Sequence, residues 1–241
     1  MIAWLVKPLI RKKKFGKVLQ FINNNFMIQG STYSQNCEDL VARKLLSDSI
    51  GNRKGLYVDV GAHDPIRFSN TLQFYLSGWN GINIDPMPEC RKVFRQYRPD
   101  DVNLNVAVSS EECMKEYFAF EEPAFNCMSK ERADELVERG LTKLKSVTKV
   151  RAVSLKRIFD KYIKDKRIDL LTIDVETMEL DVLQSNDWNK YQPELIIMES
   201  IVSCHEDISK VYEDKAVRYL KEKGYMVVAK VENAVFMKRE K

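Results

Sequence analysis

The chain has 241 residues, of which 44% are hydrophobic and 31% are charged. This composition is typical of a globular protein with a buried core, and it excludes collagen-like, low-complexity and wholly disordered chains. The length suits one domain, or one domain with a small appendage. Five scattered cysteines without a Cys-x-x-Cys pair indicate reduced thiols, and the two histidines are too few for a three-histidine metal site.

The net charge of +4 is unevenly distributed along the chain. Residues 1–37 hold six basic side chains and no acidic one, so residues 38–241 carry a net charge of −2. Because the body of the protein is mildly acidic, we predict no nucleic-acid partner. We divide the chain into a basic N-terminal segment, residues 1–32, and one domain, residues 33–241.

The pattern of residues 1–26 predicts an amphipathic helix with a basic face. Its apolar runs are too short to span a bilayer, and they precede the charges, unlike those of a signal peptide. The helix either contacts an anionic membrane surface or packs on its own domain with a solvated basic face. We therefore predict a cytoplasmic protein, which the first alternative places at the inner face of the membrane.

Predicted strands and helices alternate along the rest of the chain. In chain order, they are a helix over 35–49, a strand over 56–60, a helix over 70–76, a strand over 82–84, a helix over 88–97, strands over 102–108, 115–120 and 145–153, a helix over 155–163, a strand over 169–175, a helix over 179–184, a strand over 194–199, a helix over 208–223 and a hairpin over 225–230 and 234–238. The central strands are unbroken apolar runs, which predicts an α/β fold whose mostly parallel sheet has helices on both faces. Residues 110–150 interrupt the alternation and are predicted to lie on the acceptor side of the site.

In such a sheet the ligand lies at the carboxyl ends of the strands, where this sequence places mostly acidic residues. The turn after the first strand, Asp59 to Asp64, has one glycine instead of the three of a dinucleotide motif, and its two carboxylates would repel a pyrophosphate. Asp85, after the second strand, suits the two hydroxyls of a ribose. These features together predict a nucleoside with a cationic tail, and S-adenosylmethionine is such a molecule.

An ordered series of motifs resembles the FkbM-type methyltransferases, a class I S-adenosylmethionine-dependent family. It extends over about residues 33–238 and includes Tyr33-Ser34-Gln35-Asn36-Cys37-Glu38-Asp39, Tyr57-Val58-Asp59-Val60-Gly61-Ala62-His63, Gly78-Trp79-Asn80-Gly81-Ile82-Asn83-Ile84-Asp85 and Ile168-Asp169-Leu170-Leu171-Thr172-Ile173-Asp174-Val175-Glu176. The resemblance implies a Rossmann-like, mostly parallel seven-stranded sheet with an antiparallel C-terminal hairpin. It also implies methylation of hydroxyls on sugars or other secondary metabolites. The chain departs from the family at Cys37 and Thr177, where glycine is usual.

The predicted site follows from the strand ends and from the resemblance. We expect S-adenosylmethionine to be bound by Gln35, Asp59, Gly61, Ala62, His63, Asp85, Asn105, Ala107 and Asp174. The catalytic candidates are Asp174, Glu176 and His63, because a sugar hydroxyl needs a base to accept its proton. No metal is predicted; a divalent ion, if one binds, would have as ligands Asp174, Glu176, Glu199 and His205.

Other polar and aromatic residues receive less specific predictions. Glu179 and Asp181 are predicted to lie on a solvated helix face. The aromatic side chains Phe118, Phe120 and Phe125 either line the acceptor pocket or pack in the core.

The leading hypothesis is an S-adenosylmethionine-dependent O-methyltransferase that acts on a small-molecule or glycan acceptor, such as a sugar or a glycolipid precursor. A nicotinamide-dependent oxidoreductase is a second hypothesis, against which the single-glycine turn counts. A non-catalytic binding module with the same fold is a third, which Thr177 keeps open. A nucleic-acid methyltransferase is the weakest, because the chain lacks an Asn/Asp-Pro-Pro-Tyr/Phe tetrapeptide.

Overall fold

The computed structural model describes residues 32–51, 53–164, 166–203 and 205–240. The predicted N-terminal helix lies outside these residues. Within them, no helix is both long and apolar enough to cross a membrane.

The described residues form ten strands, seven α-helices and two short 3₁₀-helices. The strands are β1 (Leu56–Val60), β2 (Asn80–Ile84), β3 (Val102–Leu104), β4 (Ala107–Val108), β5 (Met114–Phe120), β6 (Leu144–Val153), β7 (Leu170–Ile173), β8 (Leu195–Glu199), β9 (Tyr225–Val231) and β10 (Ala234–Arg239). The α-helices are α1 (Glu38–Ile50), α2 (Leu72–Leu76), α3 (Cys90–Tyr97), α4 (Lys130–Glu138), α5 (Leu155–Tyr162), α6 (Glu179–Gln184) and α7 (Lys215–Glu222). The 3₁₀-helices are Pro123–Phe125 and Ile208–Glu213.

A seven-stranded sheet with the order β3-β2-β1-β7-β8-β10-β9 forms the centre of the domain. Neighbours from β3 to β8 are parallel, whereas β10 is antiparallel to both β8 and β9. This architecture confirms the predicted fold class, including the antiparallel C-terminal hairpin. The carboxyl ends of β1, β2 and β7 consequently lie at one edge of the sheet, which is where the candidate site is found.

Side chains that alternate along the central strands form two separate cores, one on each face of the sheet. Val58 and Leu171 pack into the first, with residues of α5, α6 and α7. Tyr57 and Leu170 pack into the second, with residues of α1 and α2. Because both faces are buried, the central strands are mostly apolar, as the sequence pattern predicted.

The predicted strand over 102–108 was wrong in its extent, because it is two strands in different sheets. β3 ends at Leu104, and β4 leaves the main sheet to pair in parallel with β6 at Ala152 and Val153. Asn105 marks the break, since its side-chain amide donates to the carbonyl oxygens of Asp85 and Met87 and ties the chain to the loop after β2.

The largest differences between predicted and observed helix boundaries occur at two places. α1 begins at Glu38 instead of Gln35, because Cys37 before it has a left-handed φ of 69°. The predicted helix over 208–223 is interrupted at Asp214, whose carboxylate accepts the backbone N–H of Ala216 and caps α7. A 3₁₀-helix precedes this cap.

The segment predicted as an excursion, residues 110–150, supplies β5 and most of β6 to a three-stranded sheet with the order β4-β6-β5. α4 packs on β5 through a small core of its own, formed by Phe118, Phe120, Cys127, Ala133 and Leu136, with Phe125 partly buried against it. Phe118 and Phe120 are therefore core residues, and of the three predicted phenylalanines it is Phe125 that reaches the cleft described below.

Candidate active site

A cleft of about 370 Å³ opens at the carboxyl ends of β1, β2 and β7. This volume is in the range of pockets that bind small molecules. The excursion forms its other wall, through residues 122–128 and Arg132. Most of the predicted site residues line the cleft, namely Gln35, Asp59, Gly61, Ala62, His63, Asp85, Ala107, Asp174, Glu176 and Glu199.

Gly61 allows the β1 turn to approach the end of β7. Its φ of 80° is left-handed, and a Cβ at this position would lie 1.7 Å from the carbonyl oxygen of Asp174. No side chain therefore fits here, and the glycine is required for the two strand ends to meet. The backbone N–H groups of Gly61 and Ala62 both donate to the carbonyl of Ile84, at 2.9 and 3.2 Å, which joins the turn to β2.

Asp85 lies at the end of β2 and holds the loops around it. One carboxylate oxygen accepts the backbone N–H of His63 at 2.8 Å, and the other accepts that of Met87 at 2.7 Å. Burial raises the pKa of Asp85, and these two hydrogen bonds oppose the increase. Each oxygen keeps a second lone pair with which to accept a ligand hydroxyl.

Asn105 and His205 are the two predicted site residues that the structure places outside the lining of the cleft. Asn105 is exposed and uses its amide to fix the loop behind Asp85. His205 is exposed on the loop after β8, apart from the carboxylates with which it was predicted to bind a metal. Their contacts with a cofactor or a metal stay predictions.

His63 lies in the β1 turn with a left-handed φ of 49°. Burial lowers the pKa of His63, while the charges of Asp85 and Asp64 oppose this decrease. The imidazole is thus largely neutral at pH 7 and is able to accept a proton.

Asp59 is held by a buried network that sequence reasoning missed. Its carboxylate accepts the hydroxyl hydrogen of Thr71, and the Thr71 oxygen in turn accepts Nη1–H of Arg98 at 2.7 Å. Arg98 is 0% exposed and also donates to the carbonyl of Pro65 and the hydroxyl of Ser69. Burial raises the pKa of Asp59 to about 6, against the effects of the Thr71 bond and the Arg98 charge.

Three carboxylates meet at the end of β7. Oxygens of Asp174, Glu176 and Glu199 all lie within 4.8 Å of one another. The Asp174 side chain is open to the cleft, although surrounding protein limits the water around it, and this enclosure together with the charges of Glu199 and Glu176 raises its pKa. Burial, followed by the charge of Glu176, raises the pKa of Glu199 to about 7.

The predicted strand over 169–175 was wrong in its extent. β7 ends at Ile173, and Glu176 and Thr177 have left-handed φ angles of 53° and 79°. The turn nevertheless brings the Glu176 carboxylate close to that of Asp174. The left-handed φ at Thr177 also explains the glycine that is usual at this motif position, because glycine adopts this conformation without steric cost.

The predicted solvated positions of Glu179 and Asp181 were also wrong. Glu179 is 6% exposed, and its carboxylate accepts the backbone N–H of Val175 at 3.2 Å across the turn. Burial raises its pKa to about 7. Asp181 accepts the backbone N–H and the hydroxyl of Ser110 and lies 3.8 Å from the ammonium of Lys115, so it ties α6 to the excursion.

Two ion pairs at the cleft join the excursion to the main domain. Arg132 of α4 donates to Glu176 at 3.0 Å, and Arg67 after β1 donates to Glu122 at 2.8 Å. The Arg67 guanidinium lies 4.2 Å from the centre of the Phe68 ring, which is 40% exposed and lines the cleft. Sequence patterns gave no signal for these pairs, since the partners are 44 and 55 residues apart.

The family model described as the methyltransferase FkbM domain matches residues 59–227. No curated protein sequence matches the chain.

The chain is also similar to several solved structures. One is an O-methyltransferase from Bacillus cereus in complex with SAH, at 10% identity and a TM-score of 0.38, over 97% of this chain and 94% of that one. Another is a candidate O-methyltransferase from Klebsiella pneumoniae, at 10% identity and a TM-score of 0.41, over 98% and 95% of the two chains. A third is precorrin-6y C5,15-methyltransferase from Geobacter metallireducens GS-15, at 12% identity and a TM-score of 0.33, over 81% and 85%.

Proposed function

Because the chain belongs to the FkbM methyltransferase family, we propose that it transfers a methyl group from S-adenosylmethionine to a hydroxyl of a sugar, a glycan or a glycolipid precursor. The observation that carries this proposal is the composition of the cleft. Acidic side chains lie at the carboxyl ends of β1, β2 and β7, and the turn after β1 contains a single glycine.

The residues present fit this cofactor in charge and in hydrogen-bonding capacity. Asp85 has free lone pairs at the strand end that faces a ribose in Rossmann-like folds. The carboxylates of Asp59 and Asp174 offer negative charge toward the ammonium and sulfonium groups. S-adenosylmethionine, when bound, supplies an electrophilic methyl group, and orientation of the acceptor hydroxyl toward it would provide much of the rate enhancement.

The hydroxyl proton has several possible acceptors in the cleft. His63 is largely neutral at pH 7, and Glu199 has a pKa of about 7, so both are suited to general-base catalysis at that pH. Asp174 is open to the cleft and adjacent to Glu199. We assign the base to this group of residues, with Asp174 as the first choice.

The cluster of Asp174, Glu176 and Glu199 also has the oxygen ligands that a divalent cation prefers. Arg132 already neutralises part of the charge of Glu176. Activity is therefore best compared with added magnesium and with a chelator. A requirement for magnesium would assign these carboxylates to a metal instead of to proton transfer.

The acceptor side of the cleft offers aromatic and guanidinium groups. Phe68 is exposed there, Phe125 lines the same wall, and Arg67 lies against Phe68. Sugar rings stack on aromatic faces and accept hydrogen bonds from arginine, which supports a carbohydrate acceptor.

We further propose that the protein is cytoplasmic and that residues 1–26 bring it to the inner face of a membrane. Unchanged binding to anionic vesicles after deletion of these residues would contradict this part.

The first experiment is calorimetric titration of the protein with S-adenosylmethionine. Asp85→Ala removes an acceptor of charge-assisted hydrogen bonds, so we expect binding to weaken about tenfold to a hundredfold. Asp48→Ala makes the same substitution at an exposed position of α1 and should leave the affinity unchanged.

Titration with NAD separates the competing hypotheses. Binding of NAD without S-adenosylmethionine would favour the oxidoreductase hypothesis. Binding of S-adenosylmethionine with no methylated product in a broad acceptor screen would favour a non-catalytic module.

A further inference from the structure

A side pocket of about 80 Å³ lies next to the cleft, at the start of α1. The residues just before α1, the end of β8 and the turn between β9 and β10 form most of its walls. Phe68, Asp174 and Glu199 line both the cleft and the side pocket, so the two spaces are continuous. Because a water molecule occupies about 30 Å³, the side pocket has room for a small substituent but not for a sugar ring.

The side pocket has an excess of negative charge. Glu38, Asp174 and Glu199 line it, and no lysine, arginine or histidine of the described residues does. Burial and the charge of Glu176 raise the pKa of Glu199, and the charge of Glu38 adds to this increase, so Glu38 and Glu199 are electrostatic neighbours. Arg132 opposes the increase from the cleft side, where its ion pair is with Glu176.

Glu38 is a buried carboxylate whose hydrogen bonds are incomplete. Its side chain is 6% exposed, and one of its oxygens accepts the backbone N–H of Asn36 at 2.7 Å. Its other oxygen has no hydrogen-bond partner among the described residues, and Glu38 forms no ion pair with them. A buried charge is costly unless it is paired, so a bound molecule that supplies a charged donor here would be stabilised.

Asn70 adds another acceptor to the side pocket. Its side-chain nitrogen donates to the hydroxyl of Thr172 at 3.1 Å, which leaves its side-chain oxygen as an acceptor. With Glu38 and Glu199, three side chains of the pocket therefore offer acceptors. An ammonium group has three donors and no acceptor, whereas a hydroxyl has one donor. The pocket thus matches an ammonium group both in charge and in hydrogen bonding.

The proposed cofactor leaves this charge unused. In the arrangement described above, Asp85 faces the ribose, and Asp59 and Asp174 offer charge to the ammonium and sulfonium groups of S-adenosylmethionine. Glu38 and Glu199 consequently keep their charge when the cofactor binds. These two carboxylates are therefore available to the second substrate.

We propose that the side pocket binds an ammonium group of the methyl acceptor. The acceptor is then a hydroxyl compound that also carries a primary amine, such as an amino sugar, with its ring at Phe68 and its amine between Glu38 and Glu199. That this molecule is a methyl acceptor rests on the proposed function, whereas binding of the amine is measured without methyl transfer. A metal at the cluster of Asp174, Glu176 and Glu199 would leave Glu38 unpaired, because Glu38 does not belong to that cluster.

The test is titration of the full chain with glucosamine, N-acetylglucosamine and glucose at pH 7, followed by ligand-observed NMR. The three sugars share one ring and differ in a single substituent, which is an ammonium, a neutral amide or a hydroxyl. Hydrogen bonds between charged groups are stronger than neutral ones, so we expect glucosamine to bind at least about tenfold more tightly than either neutral sugar. The titrations are made with and without S-adenosylhomocysteine.

Two variants locate the preference within the protein. Glu38→Gln removes the charge but keeps an acceptor for the Asn36 N–H, so the preference for glucosamine should fall about tenfold. Glu232→Gln makes the same substitution at an exposed side chain of the neighbouring turn that does not line the pocket, and it should keep the preference. An unaltered melting temperature shows that the fold is intact, and Glu199→Gln replaces Glu38→Gln if it is altered.

A wild-type protein without a preference for glucosamine, including one that binds none of the sugars, would overturn the proposal. An equal loss of the preference in both variants would also overturn it. Binding of magnesium that Glu38→Gln abolishes, without a preference for glucosamine, would overturn it and assign the pocket to a metal. A preference for glucosamine that depends on Glu38, in a protein that does not bind S-adenosylmethionine, would support the ammonium site and contradict the proposed function.

Discussion

At the scale of single residues, the turn after β7 combines strain with function. Glu176 and Thr177 both have left-handed φ angles, which L residues adopt at a cost of about 1–2 kcal/mol each. The Glu179 carboxylate and the Arg132 guanidinium bind this turn from two sides. These bonds offset the strain and fix Glu176 beside Asp174.

We expect Thr177→Gly to stabilise the protein by about 1 kcal/mol. Glycine removes the steric cost of the left-handed φ, and its greater freedom in the unfolded chain cancels only part of this gain. Urea denaturation measures the change. Thr177→Ala keeps a Cβ and should show no such gain. Equal stabilities of the glycine and alanine variants would mean that the turn stores no strain at this residue.

How well the sequence predicts a site residue depends on the range of its contacts. Gly61 and Asp85 were predicted to lie in the site because a strand and a turn identify them locally, and both line the cleft. Arg98 and Glu179 were missed or misplaced because burial and partners far along the chain define their surroundings. Local sequence does not distinguish an arginine that is buried with four oxygen partners, as Arg98 is, from a solvated one.

At the scale of elements, the excursion is a small unit fastened across the cleft. Its β5–β6 ribbon and α4 have a core of their own, and Arg67–Glu122 and Arg132–Glu176 connect it to the main domain. The sequence predicted these two strands closely, since β-branched or aromatic residues recur along each of them. It mispredicted the strand over 102–108, because its residues are equally suited to one strand or to two and the hydrogen bonds of Asn105 decide between them.

Loss of the Arg132–Glu176 pair should loosen α4 while the sheet stays intact. Partly exposed ion pairs contribute about 0.2–1 kcal/mol, so we expect amide exchange in Lys130–Glu138 to accelerate up to about fivefold in Arg132→Gln. Hydrogen exchange followed by mass spectrometry measures this rate, with α7 as the internal reference. Arg139→Gln, which removes a more exposed pair with Glu135, is the matched control. Equal acceleration in α4 and α7 would indicate general destabilisation instead.

At the scale of the whole molecule, the domain concentrates buried acids at one edge of its sheet. Burial raises the pKa of Asp59 to about 6 and those of Glu179 and Glu199 to about 7. The mostly parallel direction of the strands could be predicted from the alternation of elements, whereas this electrostatic property depends on which carboxylates the finished fold encloses together.

The stability of the free protein should fall as pH rises from about 5 to 8. The folded-state pKa values of these three carboxyls exceed the unfolded values of about 4, so the folded protein binds their protons more tightly. Their stabilising effect is complete below pH 4 and is lost as pH passes through about 6 to 7. His63, whose pKa is lowered, acts in the opposite direction but is a single group.

Thermal unfolding across this pH range tests the expectation. Glu179→Gln keeps an acceptor for the Val175 N–H and removes one titrating group, so its melting temperature should depend less on pH. A wild-type melting temperature that increases steadily from pH 5 to 8 would contradict the prediction.

The pairing of β1 with β7 also sets the order in which the cleft assembles. Tyr57 is opposite Leu170, so the two central strands are neighbours in space but 113 positions apart in the chain. At ribosomal rates of about 5–20 residues per second, β7 is synthesised roughly 5 to 20 seconds after β1. During synthesis the β2 side of the sheet and the excursion therefore emerge first, and Asp59 and Asp174 come together only after β7 has been made.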